Sequence, residues 1–422
     1  MPINGTDSAA GDVLAGLDEI QSWQEDVYRT LHAHPELPFQ EVRTAETAAR
    51  TLRDAGYDVR EKIGRTGVIG VLKNGAGPTV LVRADMDALP IDEQTGLPYA
   101  SRQRARDASG QEVPVAHACG HDVHVASLMA AARLLGERRE AWQGTFIALF
   151  QPAEELGTGA AAMVEAGLAK AIPKPDVALA QHVLVLPAGK VGTRAGPILS
   201  TAASMRVTIH GRGAHGSMPQ LSVDPVVLAS MIVVRLQSIV AREVAPGEFA
   251  VVTVGRIAAG TKSNIIPADA TIELNIRAYD EAMRGQLIDA IERVVRAECE
   301  ASGSPEAPEF ERYDEYPLTS NDPDVTARVA AAFRDAFGDR AFEIGRQSAS
   351  EDFSDIPHAL GVPYTYWGIG GIDETQWREA EAAGTIADIP ANHSPKFAPV
   401  IQPTLRTGAA AIVVAALAWL AR

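Results

Sequence analysis

An eight-residue stretch combines three histidines, a cysteine and an aspartate, and it reads His117-Ala118-Cys119-Gly120-His121-Asp122-Val123-His124. On an extended backbone the side chains of Cys119 and His121 would leave on the same side, and Gly120 allows a turn that other residues resist. A thiolate and an imidazole form a donor pair that suits zinc and its neighbouring transition metals. The stretch therefore predicts a metal site. We rank the alternative, a buried cysteine beside solvated histidines, below it because more candidate ligands follow.

The further candidate ligands follow predicted strands. The apolar segment 145–151 predicts a buried strand that leads to Glu154 and Glu155, and segment 176–180 predicts another that leads to His182. Open α/β sheets place their sites at such strand ends. Two adjacent carboxylates after a buried strand are costly unless a positive group compensates them. We therefore expect one glutamate to bind metal while the other handles a proton. Two solvated loop glutamates are the alternative.

Four more polar residues lie at the ends of predicted elements. The strand predicted over 79–84 runs into Asp85 and Asp87, which could bind metal, orient a metal-bound imidazole or shape a turn. We favour the orienting role. His32 and His34 come just before a proline that ends a helix, and they could be ligands, caps or surface residues. We favour a structural role for both histidines, because other donors already fill the metal site.

The resulting donor set exceeds what one tetrahedral zinc ion needs and suits two divalent ions that share ligands. Its members are Cys119, His121, Glu155, His182 and, from the loop before the last predicted helix, His393. Two such ions can polarise a carbonyl group and lower the pKa of a bridging water to about 7. Glu154 would take the proton of that water and pass it to a departing amine. The set indicates amide hydrolysis. Its donors favour zinc, and cobalt, nickel and manganese accept the same donors.

A second function class rests on the segment Gly157-Thr158-Gly159-Ala160-Ala161-Ala162, which fits the loose G-x-G-x-x-A pattern of dinucleotide-binding proteins. Asp176 lies at about the distance expected of a ribose-binding acid. We rank this dinucleotide-dependent oxidoreductase hypothesis below the metal site. Glu154 and Glu155 would repel a pyrophosphate, and the glycines come several residues after the strand rather than at its end.

Composition limits the partners and the compartment. The 422 residues carry a net charge of −16, which makes nucleic acid and anionic membrane surfaces poor partners. Cys119 and Cys299 are too few for a disulfide framework and fit a reducing, cytoplasmic location. The stretch Met1–Ala15 lacks the basic start and apolar run of a signal peptide. The apolar run Ala409–Leu420 is too short to span a bilayer and predicts a buried last helix.

The order of elements predicts an α/β protein with an inserted α+β domain. Short apolar segments such as 67–72 predict strands that are buried on both faces. From residue 200 the hydrophobic pattern alternates and the elements are ordered β-α-β-β-α, and the α/β character returns after residue 309. We therefore predict a catalytic domain of residues 1–199 and 310–422, interrupted by a smaller domain of residues 200–309.

Four local predictions complete the outline. Segment 125–135 predicts a buried helix, and the polar segment 95–114 predicts a surface loop. Ser350 is expected to cap an acidic helix start, and the alternative is that the acids of this segment, Glu351 and Asp352, reach the site. Segment 364–371 predicts a strand followed by a glycine-rich turn.

Taken together, these residues resemble the M20 metallopeptidase/amidohydrolase family, in particular its D branch of N-acyl-amino-acid amidohydrolases. That branch includes aminoacylases, hippurate hydrolases and plant auxin-conjugate hydrolases. The matching motifs cover nearly the whole chain in order, and they are Leu31-His32-Ala33-His34-Pro35-Glu36, Arg83-Ala84-Asp85-Met86-Asp87-Ala88-Leu89-Pro90, His117-Ala118-Cys119-Gly120-His121-Asp122, Gln151-Pro152-Ala153-Glu154-Glu155, His182, the Gly211–Pro219 loop and His393. The resemblance implies a zinc-peptidase-like catalytic domain with a mixed central sheet, interrupted by a smaller domain that dimerises and acts as a lid.

The resemblance also implies residue roles. Glu154 would be the general base, and the two metal ions would be bound by Cys119, His121, Glu155, His182 and His393. His215 would reach across a homodimer, formed through residues 200–309, to stabilise the tetrahedral oxyanion with help from Asn264. Arg277 would hold the α-carboxylate of the substrate, a role that suits its forked guanidinium. The implied substrate is an N-acyl-L-amino acid, and small dipeptides are the alternative for the same site.

One stretch narrows the resemblance. Through Leu199–Val254 the chain looks closest to bacterial aminoacylases that act on N-acylated glutamine and similar amino acids. Gly216 and Gln220 stand where alanine and histidine are expected in many relatives. This departure leaves the chemistry intact and changes the local shape of the lid, on which the acyl-group preference depends.

Overall fold

The chain divides into two units in the structure, a computed structural model that describes residues 9–421. The larger unit runs to Ile198 and contains Ser320–Arg346 and the chain from Asp352 onward. The smaller unit consists of Leu199–Thr319 and Gln347–Glu351. Residues 1–8 of the stretch predicted not to be a signal peptide lie outside the described residues.

The helices are spread along both units. In chain order they are α1 (Ala9–Leu14), α2 (Leu17–Ala33), α3 (Val42–Asp54), α4 (His121–Glu137), α5 (Gly159–Glu165), α6 (Leu168–Ala171), α7 (Pro225–Glu243), α8 (Glu281–Ala301), α9 (Pro323–Phe337), α10 (Asp355–Leu360), α11 (Glu374–Ala383) and α12 (Ile401–Leu420). Of these, α7 and α8 belong to the smaller unit.

The strands are mostly short. In chain order they are β1 (Asp58–Ile63), β2 (Gly67–Asn74), β3 (Thr79–Asp85), β4 (Arg104–Arg106), β5 (Glu112–Pro114), β6 (Gly144–Gln151), β7 (Val177–Pro187), β8 (Val191–Thr193), β9 (Gly196–Leu199), β10 (Thr201–His210), β11 (Ala214–His215), β12 (Ala250–Ala259), β13 (Ile265–Ile266), β14 (Asp269–Ala278), β15 (Glu309–Tyr316), β16 (Thr319–Asn321), β17 (Ala341–Glu343) and β18 (Tyr364–Ile372).

The larger unit is built on a mixed sheet of eight strands in the order β1-β2-β6-β3-β7-β18-β8-β17. Strands β6, β3, β7 and β18 run parallel, whereas β1 and β2 are antiparallel to their neighbours. The carboxyl ends of the four parallel strands therefore meet at one edge, where α/β sheets place their sites. The predicted α/β class with a mixed central sheet is confirmed.

Helices α4 and α12 of the larger unit are buried, and small residues let them approach each other closely. Helix α12 is rich in alanine and packs on α4 in one core. A Cβ atom on Gly408 would lie 2.4 Å from Ser127 Oγ on α4, so only glycine fits there. Since α4 begins with His121, this contact fixes the helix that carries one candidate ligand.

Two of the described helices, α7 and α12, are long and apolar enough to cross a membrane by length and composition alone. Helix α12 begins at Ile401 rather than at the predicted Ala409, so its length does not exclude a span. Burial decides the question, because 78% of its apolar window lies inside the fold, as expected for a core helix. The same fraction is 33% for α7, which exposes Val227 and Val234.

The smaller unit is an antiparallel sheet in the order β12-β14-β10-β15, with α7 and α8 packed in the same core. Alternate residues of β14 are buried, so only one face of this sheet meets the helices. The predicted order β-α-β-β-α lacked β15, whose charged sequence gives no apolar alternation. Because β15 pairs with β10, the smaller unit extends to Thr319 rather than to residue 309.

Two local predictions are wrong, and the predicted surface loop, although none of its residues is buried, is incomplete. The glycines after Tyr364 continue strand β18 rather than forming a turn, and a Cβ atom on Gly370 would lie 1.8 Å from Pro187 O of β7. Helix α10 begins at Asp355, so Ser350 caps no helix there. Within residues 95–114 the chain forms the hairpin of β4 and β5, which is held by backbone pairing that side-chain pattern does not reveal.

Candidate metal centre

The motif around Cys119 and His121 is a turn followed by a helix. Gly120 has φ +86° and ψ 22°, and a Cβ atom there would lie 2.4 Å from Val183 Cγ1. Helix α4 begins directly afterwards at His121, four residues before the start predicted at Val125. The prediction that this stretch has an extended backbone is therefore wrong. The turn at Gly120, not a strand, brings the thiol and the imidazole together.

His121 is fully buried and oriented by Asp87. Its Nδ1 lies 3.0 Å from Asp87 O and 3.3 Å from Asp87 Oδ1, so Nδ1 carries the donated proton. Nε2 makes no hydrogen bond within residues 9–421. It faces carboxylate oxygens of Asp85, Glu154 and Glu155 at 3.6, 3.8 and 3.9 Å. An imidazole nitrogen that faces three carboxylates fits a cation between them.

Glu154 and Glu155 form a short 3-10 turn, Glu154–Leu156, after β6. The residue before them, Ala153, has φ 49° and ψ 42°, a left-handed conformation that alanine rarely adopts. The backbone N–H of Glu155 donates to Asp87 Oδ2 at 2.9 Å. Asp87 thus holds both an imidazole and the carboxylate turn, which is the orienting role expected of it.

The remaining candidate ligands come from the ends of other elements. Cys119 Sγ lies 3.4 Å from Nε2 of His182 on β7, and His393 Nε2 lies 3.3 Å from Glu155 Oε2. The backbone N–H of His393 donates to Ala118 O at 2.8 Å, which ties its loop to the motif. Only His393 is largely exposed, with 56% of its side chain accessible.

Among the donor groups found in the described residues, three consist only of predicted ligands and the predicted base, and within each of them every pair of donor atoms lies within 4.8 Å. The groups are Cys119, His121 and His182; Cys119, Glu155 and His393; and His121, Glu154 and Glu155. All five predicted ligands and the predicted base are thereby brought together in the larger unit. Because Cys119 belongs to two groups, the arrangement fits two ions that share a ligand.

The thiol, the carboxylates and the imidazoles of this cluster shift each other's pKa values. Contacts with Cys119 and Glu155 raise the pKa of His393 to about 10. Burial raises the pKa of the Cys119 thiol, and Glu155 adds to that effect. Burial alone would lower the pKa of His121, but Asp85 and Cys119 outweigh it and raise this pKa well above its usual value. Burial, with His124 nearby, lowers the pKa of His182 well below its usual value, which keeps that imidazole neutral as a ligand must be.

A buried network behind the cluster was not found in the sequence. His124 Nε2 accepts from Val183 N at 2.9 Å, so His124 Nδ1 donates to Asp85 Oδ1 at 2.5 Å. Arg83, which is 1% exposed, donates to Asp85 Oδ2 at 2.7 Å. Burial favours a raised pKa for Asp85, but Arg83 outweighs it and holds the pKa well below its usual range. The sequence singled out Asp85 as an orienting residue and placed Arg83 and His124 in its motifs, but no pattern showed that these three side chains bond each other.

A second buried ion pair lies beside the motif. His32 Nδ1 lies 2.6 Å from Asp122 Oδ2, and His32 Nε2 lies 3.1 Å from Glu93 Oε1. Burial opposes the charged form, but Asp122 and Glu93 raise the pKa of His32 to about 10. The structural role favoured for His32 is thus that of a buried cation, while His34 bonds its own helix at Thr30 O.

The other predicted site residues belong to the smaller unit. His215 and Asn264 are exposed, and they are joined through the short ladder of β11 and β13, where Gly216 N donates to Asn264 O at 2.9 Å. Arg277 on β14 donates to Ser348 O at 2.9 Å and to Ser350 Oγ at 3.1 Å. The roles predicted for these three residues stay predictions.

Three comparisons with known proteins agree on one family. The model of peptidase family M20/M25/M40 matches residues 81–391. Thermostable carboxypeptidase 1 of Saccharolobus solfataricus is 35% identical over 93% of this chain and 94% of its own. N-acetylcysteine deacetylase of Bacillus subtilis is 34% identical over 82% of this chain and 88% of its own. The crystal structure of a dinuclear metal binding peptidase of the M20 family from Bacillus subtilis superposes with a TM-score of 0.75 at 28% identity, over 95% of this chain and 98% of that one.

Proposed function

The chain belongs to peptidase family M20/M25/M40 and is a hydrolase, and on that premise we propose that it cleaves the amide bond of N-acyl-L-amino acids. The observation that carries the proposal is the set of three overlapping donor groups, two of which contain Cys119 and two of which contain Glu155, with Glu154 in one of them. Relatives named as a deacetylase and as a carboxypeptidase both cleave a bond to an amino acid, which supports the substrate class.

The residues present fit two divalent transition-metal ions. They would be held by Cys119, His121, Glu155, His182 and His393. Bound ions would supply Lewis acidity for the amide carbonyl and for the attacking water. A set with one thiolate and three imidazoles favours zinc, and cobalt, nickel and manganese remain candidates for the same donors.

Glu154 acts as the general base in this proposal. It is 6% exposed, and its carboxylate lies 3.8 Å from His121 Nε2. It takes a proton from the attacking water and delivers it to the nitrogen of the departing amino acid. Asp87 keeps the turn that carries Glu154 in place through Glu155 N.

The smaller unit supplies the groups that recognise the substrate. His215 stabilises the oxyanion in the site of the other subunit of a homodimer, and Asn264 assists it. Arg277 binds the α-carboxylate, since its fork can make two charge-assisted hydrogen bonds. The proposal includes a homodimer formed through residues 200–309, and the exposed apolar face of α7 agrees with it. It also includes a cytoplasmic location.

A carboxypeptidase activity is the second candidate, favoured by the 35% identity with the carboxypeptidase of Saccharolobus solfataricus. A dipeptide and an N-acyl amino acid share the scissile amide and the free α-carboxylate. They differ in that the dipeptide carries a free amine on its first residue, whereas the N-acyl amino acid has an acyl group without that amine. The same site could therefore take either, and the substrate panel separates them.

The experiment combines elemental analysis of the purified protein with amine release from a panel. The panel holds N-acetyl and N-benzoyl amino acids, the same compounds with the carboxylate amidated, and dipeptides. We expect bound metal, release that stops with chelator and returns with added metal, and faster release from acylated substrates than from dipeptides. Faster release from dipeptides would favour the carboxypeptidase. Failure to bind metal after reconstitution would overturn the proposal.

A further inference from the structure

Glu41 is a buried carboxylate that the proposed mechanism does not use. It is 0% exposed, and although it lies at the start of α3, its side chain caps no N–H of that helix. Burial, with Asp87 nearby, raises its pKa to about 7. A buried acid is costly unless its hydrogen bonds compensate it, so the partners of Glu41 indicate its task.

Those partners are two unusual backbone positions and one hydroxyl. Glu41 Oε1 accepts from Phe39 N and from Ala153 N, both at 2.9 Å. Glu41 Oε2 accepts from Thr66 Oγ1 at 2.5 Å. Phe39 and Ala153 both have left-handed backbones, with φ of 62° and 49°. One carboxylate oxygen therefore holds two residues in conformations that their side chains disfavour.

Ala153 is the residue that directs the following glutamates. Two further hydrogen bonds hold the turn that contains Glu154 and Glu155. Glu155 N donates to Asp87 Oδ2, and Gly159 N donates to Ala153 O. Only glycine fits at position 159, since a Cβ atom there would lie 1.6 Å from Pro152 O. Glu154 lies between the contact at Ala153 and the contact at Glu155, so both contacts set its direction.

We propose that Glu41 is a positioning residue for the general base: it holds Ala153 in the left-handed conformation that aims Glu154 at the reacting centre. The inference rests on the proposed function for the role of Glu154. The contact itself, between Glu41 and the N–H of Ala153, does not depend on that role and can be tested separately.

The first test is kinetic. Glu41→Ala removes the acceptor, and we expect kcat to fall about 10–100-fold, as for other residues that orient catalytic groups, while KM and metal content change little. Glu41→Gln keeps an oxygen for both N–H groups and can donate to Thr66 Oγ1, so it retains most of kcat. Thr66→Val is the matched control, because it removes a hydrogen bond of Glu41 that does not reach the turn.

The second test is rescue. Glycine adopts the left-handed conformation without the strain of alanine. In the Glu41→Ala background, Ala153→Gly should restore kcat about fivefold or more, whereas Ala153→Gly alone should leave kcat near that of the wild type. A merely structural role for Glu41 would show as lost stability, and glycine at 153 would not recover kcat. If Glu41→Ala does not fold, Glu41→Asp, whose shorter side chain draws back from Ala153, takes its place.

The third test needs no activity. In metal-free protein, hydrogen exchange of the Ala153 amide should be slow in the wild type and in Glu41→Gln, and much faster in Glu41→Ala. Unchanged exchange, or a full kcat in Glu41→Ala, would overturn the inference. A wild-type protein that hydrolyses no amide would overturn the proposed function instead, and the exchange result would still decide the contact.

Discussion

The predicted site residues of the two units differ in how the protein holds them. In the larger unit His121 and Glu154 are buried, and fixed neighbours such as Asp87 orient them before any substrate arrives. In the smaller unit His215 and Asn264 are exposed. A buried, hydrogen-bonded group leaves its partners uncompensated when it is removed, whereas an exposed group does not.

This difference in burial decides whether a site residue can be recognised from its type and surroundings or only from its contact with a substrate. The buried residues of the donor cluster in the larger unit can be recognised by type, because a thiol, imidazoles and carboxylates that are buried together are costly without compensating positive charge. The residues of the smaller unit resemble ordinary surface residues until a substrate is considered. We therefore expect variants of the buried His121 and Glu154 to alter activity or stability through their partners, and variants of the exposed His215 and Asn264 to alter activity alone.

The largest effect on turnover is expected from Glu154→Gln. The amide cannot accept the proton of the attacking water, so kcat should fall about 10²–10⁴-fold. Metal content, measured by elemental analysis, should stay at the wild-type level, because Glu154 is not among the proposed ligands. Wild-type turnover in this variant would remove Glu154 from the role of base.

The next effect tests the smaller unit. His215→Ala should lower kcat about 10²–10³-fold, as expected for a lost oxyanion donor, without lowering the thermal midpoint, since His215 is exposed. His210→Ala, in the same unit, is the matched control and should remain active.

Mixing the two inactive variants sharpens this test. If His215 serves the site of the other subunit, co-refolded Glu154→Gln and His215→Ala chains should regain about a quarter of the wild-type rate, because each mixed dimer contains one intact site. No recovery in mixed dimers would place His215 in its own subunit's site or outside catalysis.

A smaller effect is expected from Arg277→Ala. Loss of charged hydrogen bonds to the α-carboxylate should raise KM about 10–100-fold for N-acyl amino acids. The KM of substrates with an amidated carboxylate should change little. The KM of Arg277→Lys for N-acyl amino acids should lie between those of the wild type and Arg277→Ala, because lysine keeps the charge but lacks the planar, two-pronged guanidinium. An equal rise for both substrate types would contradict carboxylate recognition by Arg277.

The smallest effect on catalysis, and the clearest on stability, is expected from His32→Asn. The pKa of His32 is about 10 in the folded protein and its ordinary value is 6.5. Its protonated form therefore stabilises the fold fully below pH 6.5, and that contribution is lost as the pH rises toward 10.

Denaturant unfolding measures this loss. At pH 6 the variant should lose about 3–5 kcal/mol, because Asp122 and Glu93 are left without their cation, and the difference from wild type should shrink above pH 9. His34→Asn is the matched control and should show no such pH dependence. A constant difference across the range would show that packing, not charge, is what His32 contributes.

The sequence predicted the parts of the site that depend on local pattern. Apolar segments gave strands β3, β6 and β7, and parallel strands bring Asp85, Glu154 and His182 to one edge. Helix α4 was predicted, but its start was not, because the left-handed turn at Gly120 is set by contact with Val183. Family membership and fold class followed from motifs, and both are confirmed.

What could not be predicted depends on residues far apart in the chain. His32 and Asp122 are 90 positions apart, and no local pattern shows that they pair. Strands β1 and β15 are polar and become strands only through pairing with a neighbour. Glu41 looks like a helix-start residue, and only the fold shows that it bonds Ala153, 112 positions away.

The pairing of β7 with β18 has a consequence for how the protein is made. These neighbours in the sheet are separated by the whole smaller unit, whose sheet lies within Leu199–Thr319. On the ribosome β7 emerges with one edge open and stays so while the inserted segment is translated and folds on its own. An open, apolar strand edge invites pairing with other chains. Slower initiation of translation, or chaperones that shield nascent chains, should therefore improve the yield of the folded protein.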